Sequence, residues 1–359
     1  MAEDITLLEG KLRDVTEEDK KKLRKISYSK MDLFGTCSYQ FDLKYNKKNY
    51  PEQIAIHLDL GTLCHKVLEI KGDMKARGVE VDYKYLLSVL ERGIIEETDK
   101  GKEVVIGLAD IKKKHGFEKW FEADNKSGMN YEEKVKLFTE QIIHNEIEDE
   151  DWTCFGTELS FEFVYKYGEN EDGSPKEIII HGFIDRVDVD NAEEPTKYRV
   201  VDYKTSKQSF DVKKLPTPLQ QCIYGIALYQ LTGVLPEEYE YSFILINERQ
   251  KACTKGYLKR VVKKLDKILN DIDSAEKDNI YKPSPTPLCY WCSFCKNNPD
   301  AARTHNTLCP YYSLWTPTNK SFSVNQDFNS KLGNNMSGSM SASVSAPVVE
   351  PTEKRKLIF

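Results

Sequence analysis

The sequence lacks any long hydrophobic run. Across its 359 residues, no stretch approaches the ~18 consecutive apolar residues that a membrane-spanning helix requires. The first residues, Met1-Ala2-Glu3-Asp4, also lack the basic-then-apolar order of a signal peptide. We therefore expect a cytoplasmic protein. Its hydrophobic content of 40% suffices for one large domain or two ordinary ones.

Positive charge is scarce overall. A net charge of -6 argues against binding to nucleic acid through overall charge, although it leaves room for a local basic groove. Lysine and arginine are concentrated in short runs at residues 20–25, 44–48, 112–114, 204–214 and 255–267. One such run alone is typical of a solvated helix face. Runs beside a candidate site favour a basic groove there.

A disulfide framework is not indicated either. The sequence has nine cysteines, and an odd number fits a reduced compartment better than full pairing. Within apolar stretches, and therefore expected in the core, lie Cys64, Cys154, Cys222 and Cys253. Cys37 lies far upstream, and the remaining group lies far downstream: Cys289, Cys292, Cys295 and Cys309. These five are placed to pin the two ends of one domain together.

The spacing of apolar residues predicts a mixed α/β core over residues 27–315. Helical periods occur at residues 27–45, 58–78, 216–232 and 258–272. Residues 157–165 alternate with period two, and further strands are predicted at 177–189, 198–204 and 239–246. The order is helices, a β-meander, a helix, a strand and a helix, which is an α/β arrangement.

Three segments differ from this core. Residues 1–26 are predicted to be a charged extension, and residues 79–150 a mainly helical insertion. Residues 316–359 are rich in Ser, Asn and Gly, and we expect a disordered tail because such a composition buries too little apolar surface. The tail ends in Lys354-Arg355-Lys356-Leu357-Ile358-Phe359. This ending is either a short docking peptide or a chance pattern in an inert tail.

Acidic and basic residues stand inside predicted strands. Asp202 and Lys204 are two apart and share one face of a strand, whereas Tyr203 points to the other face. Asp185 lies on the preceding strand, so pairing would bring both carboxylates and the lysine together. A buried Asp needs a partner or a metal. Ordinary ion pairs, Asp202 with Lys204 and Asp185 with Arg186, are the simpler alternative.

Helical residues on either side favour a metal site over ion pairs. His65 lies on a predicted helix before the strands, and Gln220 and Tyr224 lie one turn apart on the helix after them. All three are placed where they could reach the two carboxylates. Such a set suits a divalent metal acting on phosphodiesters, because water attack needs a Lewis acid and a poised nucleophile.

Four short motifs follow one another: Gly61-x-x-x-His65, Gly182-Phe183-Ile184-Asp185-Arg186, Val201-Asp202-Tyr203-Lys204-Thr205 and Gln220-x-x-x-Tyr224. Their order and spacing resemble the RecB-type branch of the PD-(D/E)XK nuclease superfamily, over about residues 27–312. The resemblance implies a restriction-endonuclease-like core, a central mixed sheet flanked by helices.

The resemblance also implies roles for the site residues. Asp185 and Asp202 would bind Mg²⁺ or Mn²⁺, with His65 and the carbonyl of Tyr203 as further ligands. Lys204 would orient or activate the attacking water and offset charge on the phosphate.

Four other residues are secondary candidates. Gln220 and Tyr224 would hold the lysine or the nucleic-acid backbone. Glu69 and Glu158 are weaker candidates, and the strand period points Glu158 outward into solvent.

The downstream cysteines, beginning Cys289-Tyr290-Trp291-Cys292, resemble those of RecB-type members that carry an iron–sulfur cluster. By this resemblance Cys37, Cys289, Cys292 and Cys309 would hold a [4Fe–4S] cluster, with Cys295 as the alternative to Cys309. Four thiolates also suit zinc, and unligated cysteines are the remaining alternative. We expect the cluster to be a structural staple.

The resulting expectation is a metal-dependent DNA nuclease, with exonuclease the favoured mode, acting on single strands or duplex ends in recombination, repair or replication. The setting would be a bacterium or a phage-infected cell. The chain has no GxxxxGK[S/T] motif, so unwinding would need a helicase partner. A clamp or single-strand-binding partner could dock on the tail. A non-catalytic DNA-binding scaffold and an RNA-processing nuclease are the alternatives.

Overall fold

A computed structural model describes residues 5–49, 56–98, 101–115, 131–144, 151–206, 208–210, 219–251, 257–286, 289, 292–295, 309 and 311. The chain divides into two compact units. The first unit holds the described residues up to 28 and those between 56 and 271. The second holds residues 29–49 and the described residues from 272 onward.

A mixed sheet forms the centre of the first unit. Its long members are β5 (Thr153–Glu169), β6 (Pro175–Val189), β7 (Tyr198–Lys204), β8 (Glu238–Phe243) and β9 (Glu248–Lys251). They lie side by side in that order, and all neighbours are antiparallel except β7 and β8. The strands predicted at 157–165, 177–189 and 198–204 lie within β5, β6 and β7. The strand predicted at 239–246 ends at Phe243 and continues as a 3₁₀ turn, Ile244–Ile246.

Helix α8 (Leu219–Thr232) makes the crossover between the parallel strands β7 and β8. Such a connection requires a helix-length segment, because parallel strands cannot be joined by a tight turn. Gly225 permits close packing on the sheet, since a Cβ there would lie 1.8 Å from the hydroxyl of Tyr239. The amphipathic helix α9 (Tyr257–Asp278) follows β9 and buries its apolar stripe.

The N-terminal segment belongs to this sheet. Strand β1 (Leu12–Arg13) pairs with β5, and β2 (Lys25–Ile26) pairs in parallel with β6. Between them, α1 (Glu17–Lys22) begins with a capping box formed by Thr16 and Asp19. Residues 1–26, which the charge pattern suggested as an extension, therefore contribute to the first unit.

The inserted segment contains strands as well as helices. Helix α4 (Ile56–Ala76) leads to α5 (Tyr83–Arg92), a hairpin of β3 (Gly93–Thr98) and β4 (Gly101–Ile106), α6 (Leu108–His115) and α7 (Tyr131–Ile143). The mainly helical prediction for 79–150 missed this hairpin. Helices α4, α5, α6 and α7 bury a shared core against Val201 and Tyr203 of β7.

The second unit begins with α2 (Tyr28–Thr36), α3 (Ser38–Phe41) and a π-helical turn, Asp42–Asn46. Tyr281 stacks on Phe41 and accepts a hydrogen bond from Asn46 at 2.7 Å, which joins this segment to the chain after α9. The structure confirms the predicted α/β class with a mixed central sheet flanked by helices. No helix among the described residues combines the length and apolar character needed to cross a membrane. The predicted tail, residues 316–359, and Cys253 lie outside the described residues.

Candidate metal centre

The end of β7 carries the central carboxylate and lysine. Alternation along the strand puts Asp202 and Lys204 on one face, and Lys204 Nζ lies 2.5 Å from Asp202 Oδ2. Asp202 is only 1% exposed. Among the described residues, its Oδ2 has this ion-pair contact but no hydrogen bond. A buried carboxylate oxygen needs a positive partner, and in the described residues the Lys204 ammonium is that partner.

Asp185 of β6 adjoins this pair. Its Oδ2 accepts a hydrogen bond from the backbone N–H of Tyr203 at 2.9 Å. Burial and the charge of Asp185 raise the pKa of Asp202 from 3.8 to about 7, and Lys204 offsets part of that rise. Two carboxyls that close together repel each other when both are ionised. The ion-pair alternative of Asp185 with Arg186 is not what the structure contains, because Arg186 bonds Asp188 at 2.5 Å.

Helix α4 brings His65 to the carboxylates. Its Nδ1 lies 3.8 Å from Asp185 Oδ2 and 3.9 Å from Glu158 Oε1. Burial lowers the pKa of His65, but Asp185 and Glu158 outweigh it and raise the pKa to about 9. Gly61, one turn before His65, faces Thr205, whose Oγ1 would lie 3.4 Å from a Cβ at this position.

Glu158 is the site residue that the strand period misplaced. The alternation of β5 predicted a solvated side chain, yet Glu158 has one ligand oxygen within 4.8 Å of those of His65 and Asp185. Its backbone has φ of 46°, in the left-handed region. Such a conformation is unfavourable for a residue with a Cβ and turns the side chain away from simple alternation. No sequence pattern predicts this backbone conformation, although a Glu inside an apolar strand is unusual.

Gln220 and Tyr224 of α8 extend the site beyond the lysine. Lys204 Nζ donates to Gln220 Oε1 at 3.3 Å, and Gln220 Nε2 donates to the hydroxyl of Tyr224 at 2.8 Å. Burial raises the pKa of Tyr224 well above its usual value, so its hydroxyl stays neutral. The predicted helical residues and the lysine therefore form one hydrogen-bonded chain.

The two remaining candidates are Glu69 and Tyr203. The side chain of Glu69 bonds Lys66 Nζ at 3.0 Å, and Lys66 is also 2.6 Å from Glu96 of β3. Tyr203 has a buried ring edge-on to His65, with centroids 5.9 Å apart. Its backbone N–H is committed to Asp185. Its carbonyl remains a predicted ligand.

An open cavity of about 340 Å³ lies against this group. Helix α4 and Glu158 form one side, and the hairpin supplies Glu103 and Val105 of β4. The inserted segment thus forms part of the wall around His65. The cavity is lined by Gly61, Thr62, His65, Lys66, Glu69, Glu103, Val105 and Glu158.

The cysteines of the second unit form a separate group. All five line one cavity of about 40 Å³: Cys37, Cys289, Cys292, Cys295 and Cys309. The N–H of Cys292 donates to Cys289 O at 3.2 Å, the N–H of Cys295 to Cys292 O at 3.0 Å, and the N–H of Cys309 to Phe294 O at 3.1 Å. These bonds hold the described downstream cysteines along the cavity.

Burial controls the charge of these thiols. It raises the pKa of Cys292 to about 12 and that of Cys309 to about 11, so without a bound metal both are neutral thiols. In the first unit, Cys64, Cys154 and Cys222 are buried, as the apolar surroundings predicted.

Comparison with known proteins gives consistent matches. Residues 25–296 match the model of the PD-(D/E)XK nuclease superfamily. The chain is similar to a subunit of an ATP-dependent helicase/deoxyribonuclease from Clostridium perfringens strain SM101, with 25% identity over 226 residues, 58% of this chain and 18% of that protein. For the Clostridium novyi protein of the same name, identity is 24% over 263 residues, 68% of this chain and 21% of that protein. The match thus spans about a fifth of the length of these relatives. With the family model matched over most of its length, the chain belongs to the PD-(D/E)XK nuclease superfamily.

Proposed function

We propose that this protein is a Mg²⁺- or Mn²⁺-dependent deoxyribonuclease, with exonuclease the favoured mode. One observation carries the proposal: the ligand atoms of His65, Glu158 and Asp185 lie within 4.8 Å of one another, and Asp202, which is paired with Lys204, adjoins Asp185. The superfamily match and the name of the relatives support nuclease chemistry on DNA.

The donor set fits a hard divalent cation. Glu158, Asp185 and Asp202 supply carboxylate oxygens, the ligands that Mg²⁺ and Mn²⁺ prefer, and His65 adds a nitrogen suited to Mn²⁺. The buried Oδ2 of Asp202 and the raised pKa of its carboxyl indicate a group whose charge a cation would stabilise. When bound, the metal supplies a Lewis acid for the phosphate and lowers the pKa of water.

Lys204 would act on the water and the phosphate. Asp202 and Gln220 contact its ammonium from different elements, which holds it at the edge of the carboxylate group. A fixed positive charge there offsets the negative charge that develops on a phosphate under attack. The same group can orient a water molecule through its three N–H donors.

Gln220 and Tyr224 would position the lysine. The side-chain oxygen of Gln220 accepts a hydrogen bond from Lys204, and its side-chain nitrogen donates one to the hydroxyl of Tyr224. These two bonds fix the orientation of the Gln220 amide. The side of the Lys204 ammonium that Asp202 and Gln220 do not contact can then face the substrate. We assign both residues a positioning role.

The substrate and partner are inferred from the relatives. Their name joins a helicase and a deoxyribonuclease in one complex. We therefore propose DNA as the substrate and a helicase as the partner.

A digestion assay tests the function directly. We would incubate the full chain with end-labelled single-stranded and duplex DNA, with Mg²⁺, Mn²⁺ or EDTA, and with matched RNA. We expect cleavage of DNA that EDTA abolishes and that Asp202→Asn removes. Products that shorten from one labelled end identify an exonuclease and its polarity.

The controls separate the alternatives. Asp188→Asn makes the same chemical change at a buried carboxylate outside the site, and that variant should still cleave if it folds. Preference for RNA would favour the RNA-processing alternative. Binding of DNA by wild type without cleavage of any strand form, in either metal, would favour the scaffold alternative.

We further propose that the cysteine cavity holds a [4Fe–4S] cluster as a structural staple. Its volume of about 40 Å³ exceeds the about 10–15 Å³ that one water-sized particle needs. The space therefore accommodates a group of several atoms, while four thiolates also suit a single zinc ion. Four ligands are required, and we retain Cys37, Cys289, Cys292 and Cys309, with Cys295 as the alternative to Cys309.

Anaerobic purification and metal analysis test the cluster. We expect a brown protein with broad visible absorption and equal amounts of iron and acid-labile sulfide. Cys309→Ser should remove the colour and Cys295→Ser should keep it; the reverse result would exchange the two ligands. A colourless protein that contains zinc would contradict the iron–sulfur assignment.

A further inference from the structure

Helix α9 carries its charges in an order that opposes its own dipole. Its first two turns contain Lys259, Arg260, Lys263 and Lys264 and no acidic residue. Its last two turns contain Asp271, Asp273, Glu276 and Asp278, with Lys277 as the one basic residue there. Helices are stabilised by acidic residues at the N-terminus and basic residues at the C-terminus. Because the order in α9 lowers helix stability, its reason lies outside the helix.

Helix α1 follows the usual order. Its first turn contains Glu17, Glu18 and Asp19, and its last turn contains Lys20, Lys21 and Lys22. The sequence therefore satisfies the dipole in one helix and opposes it in the other.

The basic residues of α9 form one continuous surface, which we call the basic stripe: Lys259, Arg260, Lys263, Lys264 and Lys267. At about 100° per residue these side chains fall within an arc of about 140°. The buried residues Val261, Leu265 and Leu269 lie on the opposite side. All five basic side chains are exposed. The stripe thus faces solvent over a length of about 12 Å.

The positive charge of the stripe is largely uncompensated. Lys267 pairs with Asp271. Within the part of the chain that the structure describes, Lys259, Arg260, Lys263 and Lys264 have no ion pair. Other exposed lysines of this unit do have one, as Lys251 does with Glu238 at 2.7 Å.

Two contacts give the direction of α9 on the sheet. Asp266 accepts a hydrogen bond from the hydroxyl of Tyr165 at 2.7 Å, and Asn270 donates to the carbonyl of Tyr167 at 3.2 Å. The helix therefore runs in the same direction as β5. Its first turns lie about 16 Å from Asn270 along the helix axis, on the side of Asp266 and therefore in the direction of the β5 residues that precede Tyr165. The stripe thus lies towards the earlier part of β5.

We propose that the basic stripe of α9 binds the phosphate backbone of DNA. The proposal rests on the proposed function for the identity of the nucleic acid. Phosphates of one strand repeat about every 3.4 Å along a duplex axis, so a stripe of about 12 Å spans three or four of them. Such contacts are independent of base sequence and position the strand rather than select a sequence.

Binding measured without cleavage tests the stripe. We would replace four of its residues in one variant, Lys259→Gln, Arg260→Gln, Lys263→Gln and Lys264→Gln, in the full chain. A matched variant changes four exposed lysines elsewhere: Lys21→Gln, Lys84→Gln, Lys136→Gln and Lys197→Gln. Fluorescence anisotropy with labelled single-stranded DNA in EDTA, over a range of salt concentrations, gives the affinity and its salt slope.

The stripe variant should bind at least ~10-fold more weakly at low salt than the matched variant, and its slope of log K against log salt should be smaller by about 3, since each lost single-strand contact removes about 0.7. Its melting temperature should not fall, because the variant removes charges that oppose the helix dipole.

The proposal is overturned if the two variants bind DNA with equal affinity and equal salt slope. A stripe that binds an acidic protein partner, and not DNA, would give this result. If wild type cleaves no DNA while the stripe variant still loses binding, only the nuclease proposal fails. Hydrolysis of a small phosphodiester, the p-nitrophenyl ester of thymidine monophosphate, should be unchanged in the stripe variant.

Discussion

Strand β7 carries a buried charge cluster on each face, and the two clusters are built differently. On one face Arg199, which is fully buried, bonds Asp188 at 2.7 Å, and Asp188 also accepts from Arg186 at 2.5 Å. Glu240 continues this cluster and accepts from Arg249 at 2.7 Å. We call these five residues the arginine network. Every carboxylate in it has a guanidinium partner.

The second cluster holds Asp202 and Lys204 on the other face of β7, and His65 of α4 joins it beside the Tyr203 ring, so that three carboxylates meet two paired cations. Within the described part of the chain, Lys204 is the one cation paired with Asp202, and His65 is the one paired with Asp185 and Glu158. In the arginine network, by contrast, each buried carboxylate is neutralised by a hydrogen-bonded guanidinium, which is a structural role. The candidate metal centre has more carboxylates than paired cations, which is the arrangement expected where a cation binds.

The largest expected effect comes from breaking the arginine network. Arg199→Met should lower the free energy of unfolding by about 3–5 kcal/mol, because it leaves the buried Asp188 with one partner fewer. Urea denaturation followed by circular dichroism measures the loss. Arg249→Met is the matched control, and its loss should be smaller because the Arg249 side chain is 30% exposed. Equal losses would show that burial does not distinguish the two arginines.

Removing the lysine tests the opposite face. Lys204→Ala should lower kcat about 10²–10³-fold, since it removes a fixed charge beside the reacting phosphate. Stability in saturating Mg²⁺ should change little, because the bound cation supplies positive charge to the same carboxylates. Initial rates at saturating Mg²⁺ measure the effect, with Lys197→Ala as the exposed control. A rate within tenfold of wild type would remove Lys204 from the mechanism.

Neutralising the central carboxylate should separate function from stability. Folding raises the pKa of Asp202 from 3.8 to about 7. The metal-free fold therefore binds more protons than the unfolded chain between these pH values, and this contribution to stability is present at low pH and lost as pH rises through about 7. Asp202→Asn should stabilise the metal-free protein at pH 8 by on the order of 1–3 kcal/mol.

Thermal melts in EDTA and in Mg²⁺ measure this effect. Mg²⁺ should raise the Tm of wild type and leave that of Asp202→Asn nearly unchanged. Asp188→Asn is the matched control in the arginine network and should lower the Tm. If both substitutions lower the Tm in EDTA, then Asp202 and Asp188 are both stabilised by their partners in the metal-free protein, and the two clusters do not differ in charge compensation.

The smallest expected effect is at the end of the hydrogen-bonded chain. Tyr224→Phe removes the hydroxyl that accepts from Gln220 and should reduce kcat about 2–10-fold, corresponding to one hydrogen bond of about 0.5–1.5 kcal/mol. KM for DNA should stay near the wild-type value if the role is to position Lys204. A change confined to KM would instead assign Tyr224 to the nucleic-acid backbone.

Period and composition predicted most of the sheet and its flanking helices. Strands β5, β6 and β7 and helices α8 and α9 lie where the apolar spacing placed them. The hairpin of β3 and β4 was missed because the two strands pair with each other outside the main sheet, and their apolar residues Ile95 and Val104 are exposed. Such strands lack the buried apolar face that produces a period of two. Strands β1 and β2 were missed because two-residue strands have no period to detect.

The candidate site was predictable to the extent that its residues follow strand and helix geometry. Asp202, Lys204, Gln220 and Tyr224 meet as their spacing predicts. Glu158 did not follow its strand, because its positive φ reorients the side chain locally. The arginine network was also not recognised, since its partners lie on separate strands, as Arg199 and Asp188 do.

The sequence by itself determined which chemical groups the protein has, the order in which they occur and the elements that carry them, because side-chain period is a local property of helices and strands. Only the tertiary structure decided which charges are compensated. Whether Asp188 finds an arginine and Asp202 does not depends on residues distant in the chain and on strand register. That difference in pairing, and not the number of carboxylates, distinguishes the cluster that stabilises the sheet from the one that we propose binds a cation.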